Sequence, residues 1–166
     1  FLFIAGTTNA ELGGSHFYKL RGELGAAVPK VDIQMAAKTA NALSSAIAAG
    51  LVASCHDCSE GGAAVALAEM AFAGGLGIEA DLAQMPAGQD CSKNYARLFS
   101  ESQGRYIIEV APENFGAFIK AMINVPFGQI GKVVLEPRLT IKSGAAGVID
   151  LNIEALKAAW QKPLKW

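Results

Sequence analysis

Cysteine is scarce in this sequence and odd in number: three residues, with no secretory feature around them. A disulfide framework is therefore excluded as the source of stability, and free thiols are the plain reading. Charge is also scarce, at 17% of residues with a formal net charge of -1. The lysines and arginines are scattered, which argues against a nucleic-acid surface. No run reaches ~18 apolar residues, so no membrane-spanning helix is expected. No basic stretch precedes the opening run Phe1-Leu2-Phe3-Ile4, which argues against a signal peptide. There is no internal repeat, no low-complexity linker, no lysine-bearing phosphate loop and no nucleophile elbow.

What is present is apolar: 52% of 166 residues, enough for one domain with a real core and short for two. A single domain over residues 1–166 is expected. Phe1 to Ala5 reads as a strand whose upstream sequence is missing, so a fragment of a longer, cytoplasmic polypeptide is expected. Asp32 is placed to cap a helix over Ile33 to Ala49, stopped by Gly50. Leu51 to His56 reads as a short buried strand, with Val52, Ser54 and His56 on one face. An Ala-rich helix follows over Ala63 to Ala73. Strands are expected over Gly77 to Leu82, Arg105 to Val110 and Phe127 to Val134. Ser92 is placed to cap a short helix through Phe99, and Pro112 opens an amphipathic helix through Ile123. Leu139 to Lys142 and Val148 to Leu151 flank a hairpin turn, and Ile153 to Gln161 is a terminal helix. The segment Arg21 to Pro29 reads as irregular. Strands alternating with helices imply an α/β or α+β fold with a mixed sheet, partly of the split βαβ kind.

The candidate chemistry lies in polar, glycine-rich turns between these elements. The central one is Cys55-His56-Asp57-Cys58-Ser59-Glu60-Gly61-Gly62, between a strand and a helix. Backbone N–H groups free at that helix start, helped by the helix dipole, would suit an anionic ligand. Asp57 and Glu60 are placed to bind a cation, and Asp57 or Ser59 to cap the helix. His56 and Asp57 point to opposite faces of a strand, so an acid–base dyad is not expected, and a structural histidine is the plainer reading. In Gly13-Gly14-Ser15 the glycines permit close backbone approach, and Ser15 either meets a phosphate or caps a helix. Glu101-Ser102-Gln103, with Arg105, supplies acceptors, donors and a fixed positive charge. The alternative is an ordinary turn before an exposed strand-start arginine. Cys55 and Cys58 form a C-x-x-C, but a structural zinc needs four ligands, and His16 and Cys91 lack paired spacing. No metal site is expected, and a redox role is disfavoured because the first cysteine sits at a strand end.

Three stretches, in order, carry a family resemblance: Glu11-Leu-Gly-Gly-Ser15, His56-Asp-Cys-Ser-Glu-Gly-Gly62 with the helix after it, and Leu98-Phe-Ser-Glu-Ser-Gln-Gly-Arg105. Together the chain resembles the C-terminal domain of the aminoimidazole ribonucleotide synthetase superfamily. Within it, the chain is most similar to the last such domain of the small, separate-subunit phosphoribosylformylglycinamidine synthases. Cys58 departs from the aliphatic residue common there. The resemblance implies a three-layer α/β/α domain, partly ferredoxin-like. It implies a part in an ATP-, magnesium- and ammonia-dependent ligase that turns formylglycinamide ribonucleotide into its amidine. The implied partners are upstream domains of the same chain, a glutaminase subunit and a small accessory subunit, with neither nucleic acid nor membrane. A homodimer of the isolated domain stays open. The isolated domain is expected to hold no cofactor and to be inactive alone. It also implies binding roles for Gly13, Gly14, Ser15, His56, Asp57, Ser59, Gly61, Gly62, Glu101, Ser102, Gln103 and Arg105, and names no catalytic residue. Other readings are a domain of an aminoimidazole ribonucleotide synthetase, a selenophosphate synthetase or a hydrogenase-maturation protein, or a domain that only completes sheet packing.

Overall fold

A computed structural model describes residues 1–164. The strand β1, Leu2–Ala5, is the centre of the molecule, and all four of its residues are buried. Such a run fits only a strand covered on both faces. It lies in a seven-stranded sheet of order β2-β4-β1-β5-β3-β6-β7. The other strands are β2 (Ser54–Asp57), β3 (Gly77–Asp81), β4 (Tyr106–Glu109), β5 (Phe127–Val134), β6 (Arg138–Ser143) and β7 (Ala146–Asn152). Every pairing is antiparallel except β3 with β6. The helices are α1 (His16–Leu20), α2 (Ile33–Ala48), α3 (Gly62–Gly74), α4 (Asn94–Phe99), α5 (Phe115–Ala121) and α6 (Ile153–Gln161).

The period-two alternation of β1 divides the core. Phe3 and Ala5 join Ile108, Val110, Leu43 of α2 and Phe118 of α5 on one face. Leu2 and Ile4 join Ile78, Leu139, Leu67 of α3 and Ile153 of α6 on the other. The fold is the expected α/β class with a mixed sheet and helices on both faces. The α2–α5 layer packs over β1, β4 and β5. Farther along that face β3 and β5 carry the half-exposed ion pair Glu79–Lys132, at 3.0 Å. A smaller core of Leu12, Cys91 and Ala96 lies beneath Phe17, which stacks on Phe99 at 5.0 Å.

Most expected elements are present, and the differences have local causes. Asp32 caps α2 as read, its Oδ1 accepting from Met35 N at 3.0 Å. The strand expected over Leu51 to His56 pairs only from Ser54, because β4 offers partners no farther than Glu109. The helix expected from Pro112 begins as a tight 3₁₀ turn and becomes α-helical only at Phe115. Lys93 rather than Ser92 stands at the N-cap of α4. Of the two readings of Ser15, the helix cap is present: it caps α1, a helix given no bounds from the sequence, and accepts from Tyr18 N at 3.4 Å.

Candidate functional site

Sheet register brings the three polar turns together. β4 lies between β2 and β1 and runs antiparallel to both, so Tyr106 is opposite Asp57 on one side and Ala5 on the other. The residues before β4 therefore meet the residues after β1 and after β2. Those are the turns at 98–105, 6–15 and 58–62.

Arg105 fixes this junction from beneath. It is 1% exposed, contrary to the expectation of an exposed strand-start arginine. Nε donates to Ser102 O at 2.9 Å, Nη1 to Thr8 Oγ1 at 3.0 Å and Nη2 to Ser100 O at 2.5 Å. Burial draws its pKa down from the usual arginine value. Each of its three nitrogens thus donates at least one hydrogen bond, and a buried guanidinium needs such acceptors, since an unpaired one would be very costly. Ser102 ties the same turn to the first one: its Oγ accepts from Asn9 N at 3.1 Å.

Glu101 joins the other two turns. Its Oε1 accepts from Gly61 N at 2.9 Å and from His16 N at 3.1 Å. One carboxylate thus serves the starts of α3 and α1, where the helix dipole favours negative charge. The His16 ring lies 3.7 Å from Glu101 and 3.9 Å from Glu60. This corrects two expectations. The N–H of Gly61 is not free for a ligand, and neither Asp57 nor Ser59 caps α3. Gly62 N is likewise taken, by Ser59 O at 3.0 Å. Both glycines have positive φ, +77° and +66°, conformations that side chains disfavour. A Cβ on Gly62 would stand 2.4 Å from Ser100 O, so the pair permits the C-terminal end of α4 to approach α3 closely.

Gly13 and Gly14 are occupied in a similar way. Their N–H groups donate to Ala27 O and Leu24 O, each at 2.7 Å. The segment 21–30 therefore lies across them as a strap, held also by Lys30 N donating to Glu11 Oε1 at 3.1 Å. Glu11 Oε2 is buried without a hydrogen-bond partner among the described residues.

His56 is not part of the Glu101 cluster. Its Nε2 is 2.9 Å from Glu69 Oε2, and its Nδ1 is 2.7 Å from Asp57 O. The other oxygen of Glu69 accepts from Trp160 Nε1 at 2.8 Å. Asp57 is exposed and accepts from Ser59 Oγ, a hydrogen bond that holds its carboxyl below the ordinary value. Cys55 is exposed and Cys58 buried. Desolvation pushes both thiols up to about 11, for Cys55 because it is partly enclosed by the groove it lines and lies near the Asp57 carboxylate, so neither is a reactive thiolate near neutral pH.

Of the residues singled out from the sequence, Gly14, Asp57, Ser59 and Gln103 are exposed, while Gly13, Ser15, Gly61, Gly62, Ser102 and Arg105 are buried. Sequence reasoning missed Thr8, Asn9, Ser100 and Glu69 as partners. The polar run Thr7-Thr8-Asn9 after β1 was a signal for the first two, given the β1–β4 pairing. Glu69 sits within an Ala-rich helix and carries no local signal.

A family model described as "AIR synthase related protein, C-terminal domain" matches residues 2–144. A phosphoribosylformylglycinamidine synthase subunit PurL of Deinococcus radiodurans is 40% identical over 139 residues, 83% of this chain and 18% of the relative. The protein of the same name from Thermococcus sibiricus is 37% identical over 157 residues, 95% of this chain and 22% of the relative. The chain thus spans about a fifth of the length of these relatives. Thermotoga maritima PurL complexed with FGAR superposes with a TM-score of 0.81 at 20% identity, over 93% of this chain and 27% of that one. The structure of PurLQS from Thermotoga maritima gives 0.78, and the PurL complex with ATP gives 0.73. They are 20% and 19% identical, and each covers 93% of this chain and 25% of the other. At such identity these structures speak for the fold alone.

Proposed function

The chain belongs to the family of AIR synthase related proteins, as a C-terminal domain of that kind, and on that premise we propose that it is one domain of a longer ATP-dependent ligase of purine biosynthesis. The reaction is conversion of formylglycinamide ribonucleotide to formylglycinamidine ribonucleotide, with ATP, magnesium and ammonia derived from glutamine. The observation that carries this reading is the convergence of all three family-like turns on Glu101 and Arg105. The 37–40% identity to PurL subunits supports it over other members of the superfamily. The partners on this reading are upstream domains of the same polypeptide, a glutaminase subunit and a small accessory subunit, in the cytoplasm. Among the described residues no helix is long and apolar enough to cross a membrane.

The N–H groups of Gly13, Gly14 and Gly61 are used by protein acceptors. ATP and magnesium are, on this reading, used by the full-length enzyme. On this reading the twelve binding residues divide by exposure. Gly14, Asp57, Ser59 and Gln103 face a ligand. Gly13, Ser15, Gly61, Gly62, Glu101, Ser102 and Arg105 hold the turns, and His56 positions the strand end through Glu69. The test is co-expression with the upstream domains and an assay of amidine formation with ATP and ammonia. Activity is expected, and Gln103→Ala should raise the KM for the ribonucleotide. A folded, assembled protein that forms no amidine would overturn the reading.

A further inference from the structure

We propose that the groove between the C-terminal half of α3 and the β2–β4 edge binds a small organic ammonium ion with an apolar body. This rests on the groove itself and not on the ligase reading. The groove has a volume of about 490 Å³, within the range of small-molecule sites. Its floor is apolar, built from Leu2, Ile78 and Val133 of the sheet. Two carboxylates line it, Glu69 and Glu109, and no lysine or arginine does. His56 also lines it but is already paired with Glu69, at 2.9 Å, so an anion would meet the Glu109 carboxylate with no unpaired basic side chain beside it. Among the described residues no three His, Cys, Asp or Glu converge as metal ligands. A bare metal ion would also leave the apolar floor unused.

An ammonium with an apolar tail uses both parts of the groove. Glu69 is the less available acceptor, since His56 and Trp160 each take one of its oxygens. Ser54 Oγ donates to Glu109 Oε2 at 2.8 Å. A carboxylate has about four acceptor positions, so Glu109 keeps capacity for a ligand N–H. The Trp160 ring lies 5.8 Å from that of Phe72 and lines the same groove, where an indole face attracts a cation. Trp160 belongs to α6, beyond the matched residues 2–144.

The test is a titration of the 166-residue chain with 2-phenylethylammonium, phenylacetate and 2-phenylethanol, followed by NMR at the Trp160 indole N–H and the Ile78 methyls. Saturable shifts with the ammonium, at least tenfold tighter than with the acid or the alcohol, are expected. Equal binding of the three, or shifts that never saturate, would overturn the proposal. This comparison uses the unaltered chain, so it does not depend on a variant folding. Glu109→Gln should weaken ammonium binding about tenfold while leaving the alcohol unchanged. Equal loss for both ligands would show that Glu109 only shapes the groove, against the proposal.

Discussion

Gly62 and Gly14 share a positive φ, +66° and +74°, but not their surroundings. A Cβ on Gly62 would meet Ser100 O at 2.4 Å and Leu98 O at 2.8 Å, whereas one on Gly14 would meet nothing within 4 Å. Gly14→Ala should therefore cost only the left-handed penalty, about 1 kcal/mol, and Gly62→Ala about 2–5 kcal/mol, since overpacking adds to it. Urea denaturation reads both, and equal losses would refute this account of the turn. Cys58 carries a second prediction at this scale. It is buried, and its pKa rises from 9.0 to about 11. The thiol of the unfolded chain ionises first, so above pH 9 the unfolded state binds fewer protons than the folded one. Stability should be full below about pH 9 and fall through pH 11, with a slope of up to about 1.4 kcal/mol per pH unit. Cys58→Ala should reduce that slope, the half-enclosed Cys55 keeping a smaller share of it. A variant that loses stability as steeply as the parent over this range would refute it. Cys55, being exposed, should be alkylated first, and slowly for a surface thiol.

At the level of elements, one side chain serves two helices. Glu101 stands at the starts of α1 and α3 together, accepting from His16 N and Gly61 N. Glu101→Ala should destabilise the chain by about 1–3 kcal/mol, in the range of a lost charged hydrogen bond. Hydrogen exchange should rise in the first turns of both helices. An increase confined to one of them would contradict the shared role. The turns themselves were legible from the sequence, because Gly, Ser, Asp and Glu cluster between apolar runs. Which turn meets which was not, because β4 lies between β2 and β1 although it follows both in the chain. Arg105 shows the consequence. Beside a polar turn it reads as a surface charge, yet register places it under Thr8, which is far away in sequence, and folds its own turn back over it at Ser100. The two short misreadings have a different source. β2 is cut to the length of its partner, and α1 is a short helix carried on stacked aromatics rather than on periodicity.

For the whole molecule, the strap over Gly13 and Gly14 has its backbone secured and its side chains unpacked. Leu20 is 89% exposed, Leu24 77% and Ile33 74%, and Val28 and Val31 beside them are also exposed. Adjacent apolar side chains left in water commonly mark an interaction surface. On the reading of a domain within a longer chain, the upstream domains cover this surface. The double variant Leu24→Ser, Ile33→Ser separates that account from a merely loose loop. In the 166-residue chain it should change stability by no more than about 0.5 kcal/mol, because little is buried there to lose. It should also reduce self-association and the binding of hydrophobic dyes. In the full-length chain the same variant should cost about 2 kcal/mol or more, since each aliphatic side chain buried at an interface contributes about 1.5–3 kcal/mol. Calorimetry on both chains measures the difference directly. Equal and small effects in the two would leave the strap solvated in the complete enzyme, and the covering surface would then have to be sought elsewhere on this domain.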